Sequence, residues 1–145
     1  MKIKQISVYL ENVKGSLRKL TKILAENMID LKAMSVADTA NFGIVRLIVK
    51  EDDIKKSTDV LRNAGFATRE NHVVCVSVPN KPAGLDSVLA ILDDNHISIE
   101  YMYTFNYSID GNAVLILRLH DNDEAAKLLN EGGIKIITQN DINNI

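Results

Sequence analysis

Two short segments carry the residue types best suited to hold a small charged ligand: Asn12-Val13-Lys14-Gly15-Ser16-Leu17 and Asn80-Lys81-Pro82-Ala83-Gly84-Leu85. In each, an asparagine and small residues lead into a leucine that opens an apolar period of helical spacing. The first turn of a helix has N–H groups without partners and a positive partial charge, so such a turn can hold a carboxylate. Gly15, or Ala83 with Gly84, leaves room for a ligand close to the backbone. Asn12 and Asn80 add a side-chain oxygen for an ammonium group and an amide N–H for a carboxylate. A glycine-containing loop before a helix is also ordinary capping chemistry, so the loops alone leave both uses open.

Other reactive residue types are placed less promisingly. Cys75 stands in the apolar run Val73-Val74-Cys75-Val76 and reads as a small buried hydrophobe. A strand interior gives no reason for a lowered thiol pKa. His72, His96 and His120 lie 24 residues apart with no Cys or His partner at ligand spacing, which fits surface or turn histidines. No Gly-x-Ser-x-Gly, phosphate loop or dinucleotide fingerprint occurs. The expectation is therefore no catalytic residue, no metal and no cofactor.

Composition narrows the classes. The chain has 145 residues, 46% hydrophobic and 25% charged, which suits a folded globular body and not a disordered one. The net charge of -2 and pI near 5.9 lack the basic excess of a nucleic-acid binder. Apolar runs such as 113–117 fall far short of the roughly 20 residues of a membrane span. No secretory apolar segment follows the charged start, so the expected compartment is the cytoplasm.

The elements that must position the two loops emerge from an internal repeat. Shifted by 68 positions, the chain matches itself without a gap. Leu17 meets Leu85, Leu24 meets Leu92, Asn27 meets Asn95, Met34 meets Met102, Gly65 meets Gly133. The expected units are 1–70 and 71–145. In each, an alternating strand (Ile6, Val8, Leu10; Val74, Val76, Val78) precedes the loop. A helix follows (Leu17, Leu20, Leu24; Leu85, Val88, Leu92), with Asn27 and Asn95 expected as left-handed C-caps. Second strands are expected at 31–37 and 99–105. Turns at Asn41-Phe42-Gly43 and Ile109-Asp110-Gly111, with Gly supplying positive φ, lead to third strands at 44–49 and 113–119. Acidic residues after position 50 and at Asp121 and Asp123 open second helices. Gly65 and Gly133 end these, and short strands follow at 67–71 and 135–138. The order βαββαβ, twice, is an α+β class: two ferredoxin-like units, each an antiparallel sheet with its helices on one face.

In this setting the loops resemble the Asx-x-Pro-Gly-x-Leu segment of ACT domains, small ligand-sensing modules of amino-acid metabolism. Asn27-Met28-Ile29-Asp30-Leu31 and Asn95-His96-Ile97-Ser98-Ile99 resemble that family's Asn-hydrophobic-x-hydrophobic approach to the second strand. The resemblance covers nearly the whole chain and is closest to small tandem ACT proteins of bacteria without a catalytic domain. Some of those are encoded beside phenylacetate–CoA ligase-like enzymes. It implies an amino acid held where the loop meets the second strand of a neighbouring domain. The seam partners would be Ser35 and Val36, and Met102, Tyr103 and Thr104. The loops depart from the pattern: Lys14 stands where Pro is expected, and Ala83 stands in the usual Gly position with Gly84 one place later. If one loop alone binds, Pro82 favours the second, because proline pre-sets φ at the helix start.

Tyr101, Tyr103, Phe105 and Tyr107 recur at every other residue, hence on one strand face, against the smaller Ala33, Ser35, Ala37 and Thr39. They form either core or a means of filling room left by the other unit. Acylphosphatases share the fold but need a glycine-rich arginine signature; Lys14 and Arg18 do not supply it. RNA-recognition motifs share it too, but the third strands here lack their aromatic motif. The expectation is a non-catalytic regulatory protein, a homodimer, that binds a hydrophobic or aromatic amino acid at an ACT–ACT interface. The alternative is an interaction module that regulates a partner enzyme, such as a phenylacetate–CoA ligase-like protein, without a ligand.

Overall fold

The computed structural model describes residues 1–11, 13–38 and 42–145. Two compact units make up the chain, one of Lys4–Asn71 and one of His72–Ile145 with Met1–Ile3.

The first unit runs β1 (Lys2–Glu11), α1 (Ser16–Glu26), β2 (Ala33–Asp38), β3 (Phe42–Ile48), α2 (Glu51–Asn63) and the opening of β4 (Ala67–Val78). Its strand order is β2-β3-β1-β4, with β2 on the edge. β1 and β2 both pair antiparallel with β3, in a register that sets Val8 opposite Val45 and Val36 opposite Val45. Period-2 alternation therefore sends Ile6, Val8 and Leu10 to the face that carries Val45 and Leu47. Leu20 and Leu24 of α1, four residues apart and so one above the other, close over that face with Ile54 and Leu61 of α2. Each such buried side chain contributes about 1.5–3 kcal/mol. Both helices thus cover one sheet face. On the other face, Gln5 and Ser7 are buried and both donate to Asn71 Oδ1, at 3.1 and 3.3 Å.

The second unit repeats the plan with the rest of β4, α3 (Gly84–Asp94), β5 (Ile99–Thr104), β6 (Ala113–Leu119), α4 (Asn122–Glu131) and β7 (Lys135–Ile137). Antiparallel β6 and β7 flank β4, and β5 pairs antiparallel with β6. Val74, Val76 and Val78 meet Leu115, Leu117 and Leu119 beneath Val88, Leu92 and Leu129. Asp110 (φ +52) and Gly111 (φ +74) make the expected tight turn, closed by reciprocal bonds between Ile109 and Asn112 at 3.1 and 2.9 Å.

Several sequence expectations need correction. Asn27 and Asn95 are not left-handed, with φ -96° and -102°. The left-handed residues are the next ones, Met28 (φ +58) and His96 (φ +56). Each asparagine instead donates its side-chain amide back to the helix, to the Ile23 and Ile91 carbonyls at 2.8 Å, satisfying an otherwise open acceptor. Gly43 lies inside β3, paired with Leu10 and Asp38, and does not take positive φ. Strand β2 begins at Ala33, two residues later than expected. The strands expected at 67–71 and from Val74 are one continuous strand, β4, with no glycine or proline to break it. Phe105 is buried and Tyr107 exposed, and both lie beyond the end of β5, so the aromatic alternation holds only for Tyr101 and Tyr103, whose rings are 6.5 Å apart. Thr39 and Asn41 lie outside the described residues. A helix not read from the sequence, α5 (Gln139–Asn143), closes the chain.

Candidate functional site

From Val13 and Lys81 onward, the two loops have one conformation. In the first, the Val13 N–H donates to the Glu11 carbonyl (2.8 Å), the Ser16 N–H to Val13 (3.3 Å) and the Lys19 N–H to Gly15 (2.9 Å). In the second, Lys81 donates to Pro79 (2.9 Å), Gly84 to Lys81 (3.1 Å) and Ser87 to Ala83 (3.0 Å). Every donor and acceptor is shifted by 68. The left-handed residue before each helix is Gly15 (φ +89) in one and Ala83 (φ +69) in the other. Thus the sequence differences at Lys14/Pro82 and Gly15/Ala83 do not alter the backbone path. Asn12 lies outside the described residues.

Among the described residues, no side-chain cap bond is made at the start of α1 or α3, as at α2. By contrast, Asp121 accepts from the Glu124 N–H to cap α4, and Thr138 forms a capping box with Asp141 at α5. The Ser16 and Gly84 N–H groups are taken by the Val13 and Lys81 carbonyls, so among the described residues it is the first-turn N–H groups after them that are left for an outside acceptor. A carboxylate is the acceptor that gains most there, from the hydrogen bonds and the helix dipole together.

Around the first loop the lining is suited to more than an anion. A groove of about 430 Å³ runs between the start of α1 and the end of β2. Leu10, Val13, Leu17 and Val36 give it apolar walls, with Ser16 at the helix start and Glu11 and Asp38 at the rim. Val13, Leu17 and Val36 are 59%, 37% and 52% exposed, so three aliphatic side chains from the loop, α1 and β2 share one open groove. On its other side the loop borders a second groove of about 470 Å³ that includes Lys14, Gly15 and Lys19. There Lys19 Nζ donates to the Ala64 carbonyl (3.2 Å) and sits 5.2 Å from the Phe66 ring centre.

Of the residues expected at the site, the structure brings Val13, Ser16, Leu17 and Val36 together. Ser35 is opposite Arg46 and so faces the other side of the sheet. In the second unit, Asn80, Lys81, Pro82 and Leu85 are exposed. Gly84 is buried against the chain: a Cβ there would stand 2.2 Å from the Pro79 carbonyl oxygen. Met102 packs against the second core, Tyr103 lies opposite Ile116 on the other face, and Thr104 is exposed at the strand end. Sequence reasoning missed Asp38, Glu11 and Leu10. Glu11 directly precedes the loop, which was the available signal; Asp38 becomes a neighbour only because β2 is laid beside α1.

Burial, and secondarily the charge of Asp141, pushes the Cys75 thiol well above its ordinary pKa. Among the described residues, no group of three or more His, Cys, Asp or Glu is arranged to hold a metal. Among the described residues, no helix is long and apolar enough to cross a membrane.

The sequence pattern of the ACT domain pair matches residues 1–145. This chain belongs to the ACT domain pair family. Protein BT0572 from Bacteroides thetaiotaomicron, a crystal structure, is 34% identical, covering 100% of this chain and 98% of that one, with a TM-score of 0.88. The regulatory subunit of aspartate kinase from Thermus thermophilus, crystallised free of ligand, covers 89% of this chain and 91% of its own at 15% identity and TM-score 0.63. Its counterpart from Thermus flavus gives 12% identity, coverage of 92% and 95%, and TM-score 0.61. At that identity the aspartate kinase subunits share the fold with this ACT pair. No curated protein matches the sequence. The family assignment explains why the two loops share one path: each is the same β-to-α turn of an ACT unit.

Proposed function

We propose that this ACT pair is a non-catalytic regulatory protein that binds a small amino acid with an aliphatic or aromatic side chain. The observation that carries the reading is the groove beside the first loop. An uncapped helix start offers N–H groups for the α-carboxylate, the Glu11 and Asp38 carboxylates suit an α-ammonium, and Val13, Leu17 and Val36 suit an apolar side chain. Pro82 favoured the second loop at the level of sequence; the shape and polarity of this groove favour the first. The second loop, with Asn80, Lys81, Pro82, Ala83, Gly84 and Leu85 against Met102–Thr104, is the weaker candidate. A neighbouring copy in a homodimer would complete the groove at an ACT–ACT interface.

Regulation requires the ligand to prefer one state of the protein, since equal affinity for two states shifts nothing. Isothermal titration calorimetry against the twenty amino acids tests the reading. Heat from one apolar amino acid, lost in Asp38→Asn, supports it; a flat panel at millimolar ligand removes it.

A second reading rests on a different feature. Tyr9 and Phe42 are both partly exposed and meet edge to face with ring centres 5.9 Å apart. Exposed paired aromatics suit a protein partner, such as a phenylacetate–CoA ligase-like enzyme. Capture of that enzyme independent of amino acids, and lost in Tyr9→Ala, would favour it.

A further inference from the structure

Of the seven glycines in the chain, only Gly111 follows an aspartate or asparagine. The Asp110-Gly111 pair is the tip of the hairpin between β5 and β6, and three features of that tip bear on its chemistry. The Asp110 side chain is 78% exposed, and its contact with the exposed Lys135 Nζ, 3.6 Å away, holds it weakly. Gly111 has no Cβ, and the place a Cβ would take has no atom within 4 Å, so its peptide nitrogen is not screened from that side. The turn is closed by the Ile109 and Asn112 backbone at 3.1 and 2.9 Å, and among the described residues the Gly111 N–H makes no backbone hydrogen bond.

An accessible side-chain carboxyl and an unhindered peptide nitrogen one residue on are the parts of a five-membered ring closure. Both sit in one short segment, so the reaction needs no encounter between molecules. We propose that Asp110 is a site of spontaneous isomerisation in the folded protein. The Gly111 nitrogen attacks Cγ of the protonated Asp110 carboxyl. A Cγ–N bond forms, a Cγ–O bond breaks, and the nitrogen's proton leaves with the carboxyl hydroxyl as water. The product is a cyclic imide spanning the two residues. Water then adds to one of its two carbonyls. Opening at Cγ restores aspartate; opening at the α-carbonyl leaves the main chain running through Cγ, an isoaspartate. No oxidant or reductant takes part, and the mass of the chain is unchanged.

The isomer inserts one carbon into the main chain of a two-residue turn. The reciprocal bonds between Ile109 and Asn112 then lose their geometry, and the hairpin loosens just before β6 begins. The first unit lacks the site. Shifted by 68, Phe42-Gly43 stands there, and Gly43 lies inside β3 paired with Leu10 and Asp38. The change is therefore confined to one unit, and the proposal is independent of amino-acid binding.

Incubation of the folded full chain in neutral buffer made with heavy-oxygen water tests it. The chain is then digested in ordinary water, its isoaspartates are labelled with a protein isoaspartyl methyltransferase, and the peptides are weighed by mass spectrometry. Isoaspartate at position 110 is expected to accumulate at least about tenfold faster than at any other aspartate, all of which precede residues with side chains. Each isomerised chain should carry one heavy oxygen, taken up when the imide opens. Asp110→Glu would need a six-membered ring, and product at 110 should fall at least about tenfold. The isotope pattern of the wild type stands even where that variant fails to fold. Isoaspartate absent from 110, formed there no faster than at other aspartates, or formed without the heavy oxygen would overturn the proposal.

Discussion

Gly15 and Ala83, 68 positions apart, hold the same left-handed conformation at the heads of α1 and α3. For glycine that conformation is free of steric cost; for an L-residue with a Cβ it costs about 1–2 kcal/mol. The second ACT unit therefore carries strain that the first avoids. Ala83→Gly is expected to raise stability by about 0.5–1 kcal/mol, since lost strain outweighs added chain freedom. Equilibrium urea denaturation checks the sign. Gly84→Ala should do the opposite, because its Cβ would stand 2.2 Å from the Pro79 carbonyl oxygen and backbone must move. A loss of more than about 2 kcal/mol is expected there.

The terminal helix α5 depends on ionised Asp141. Its carboxylate accepts from the Thr138 N–H (2.8 Å) and hydroxyl (2.9 Å), and these bonds hold its pKa below the ordinary carboxylate value. A group with a depressed folded pKa stabilises the fold above its unfolded pKa, near about 3.9 for aspartate, and that contribution disappears as pH falls through the folded value. Acidification below about pH 4 is thus expected to loosen α5. Thr138→Ala should cost about 1 kcal/mol at neutral pH, and Asp141→Asn should remove this part of the pH dependence. Hydrogen exchange of the α5 amides between neutral and acid pH follows both.

Cys75 is fully buried in β4 and its thiol is pushed up by burial. The thiolate is the reactive form, so alkylation of the folded protein at pH 8 should be slower than in urea by orders of magnitude. A native-state rate matching the unfolded chain would show that β4 opens readily.

Much of this architecture was legible because it is written twice. The 68-residue offset aligned loop with loop and core position with core position, so each weak local signal was read in duplicate. Local signals failed where a second bonding option existed. Asn27 and Asn95 can take left-handed φ, yet their side chains do better by donating to Ile23 and Ile91, and the left-handed turn moved to Met28 and His96. Helix α5 had a readable signal, the Thr138-x-x-Asp141 capping box, hidden by its five-residue length. The groove at the first loop was half visible. Val13, Ser16, Leu17 and Val36 came from the ACT resemblance, whereas Asp38 required knowing that the end of edge strand β2 lies beside α1.

On our proposal, the groove between α1 and β2 holds an apolar amino acid by both ends. Titration calorimetry of the wild type against the twenty amino acids, repeated for Val36→Glu, tests it most directly. One or a few apolar amino acids should bind the wild type, and the variant should bind them at least about tenfold more weakly, because a carboxylate placed in the apolar wall would have to be desolvated against the ligand's apolar side chain. Undiminished binding to Val36→Glu, or no heat from any amino acid with the wild type, would contradict the account.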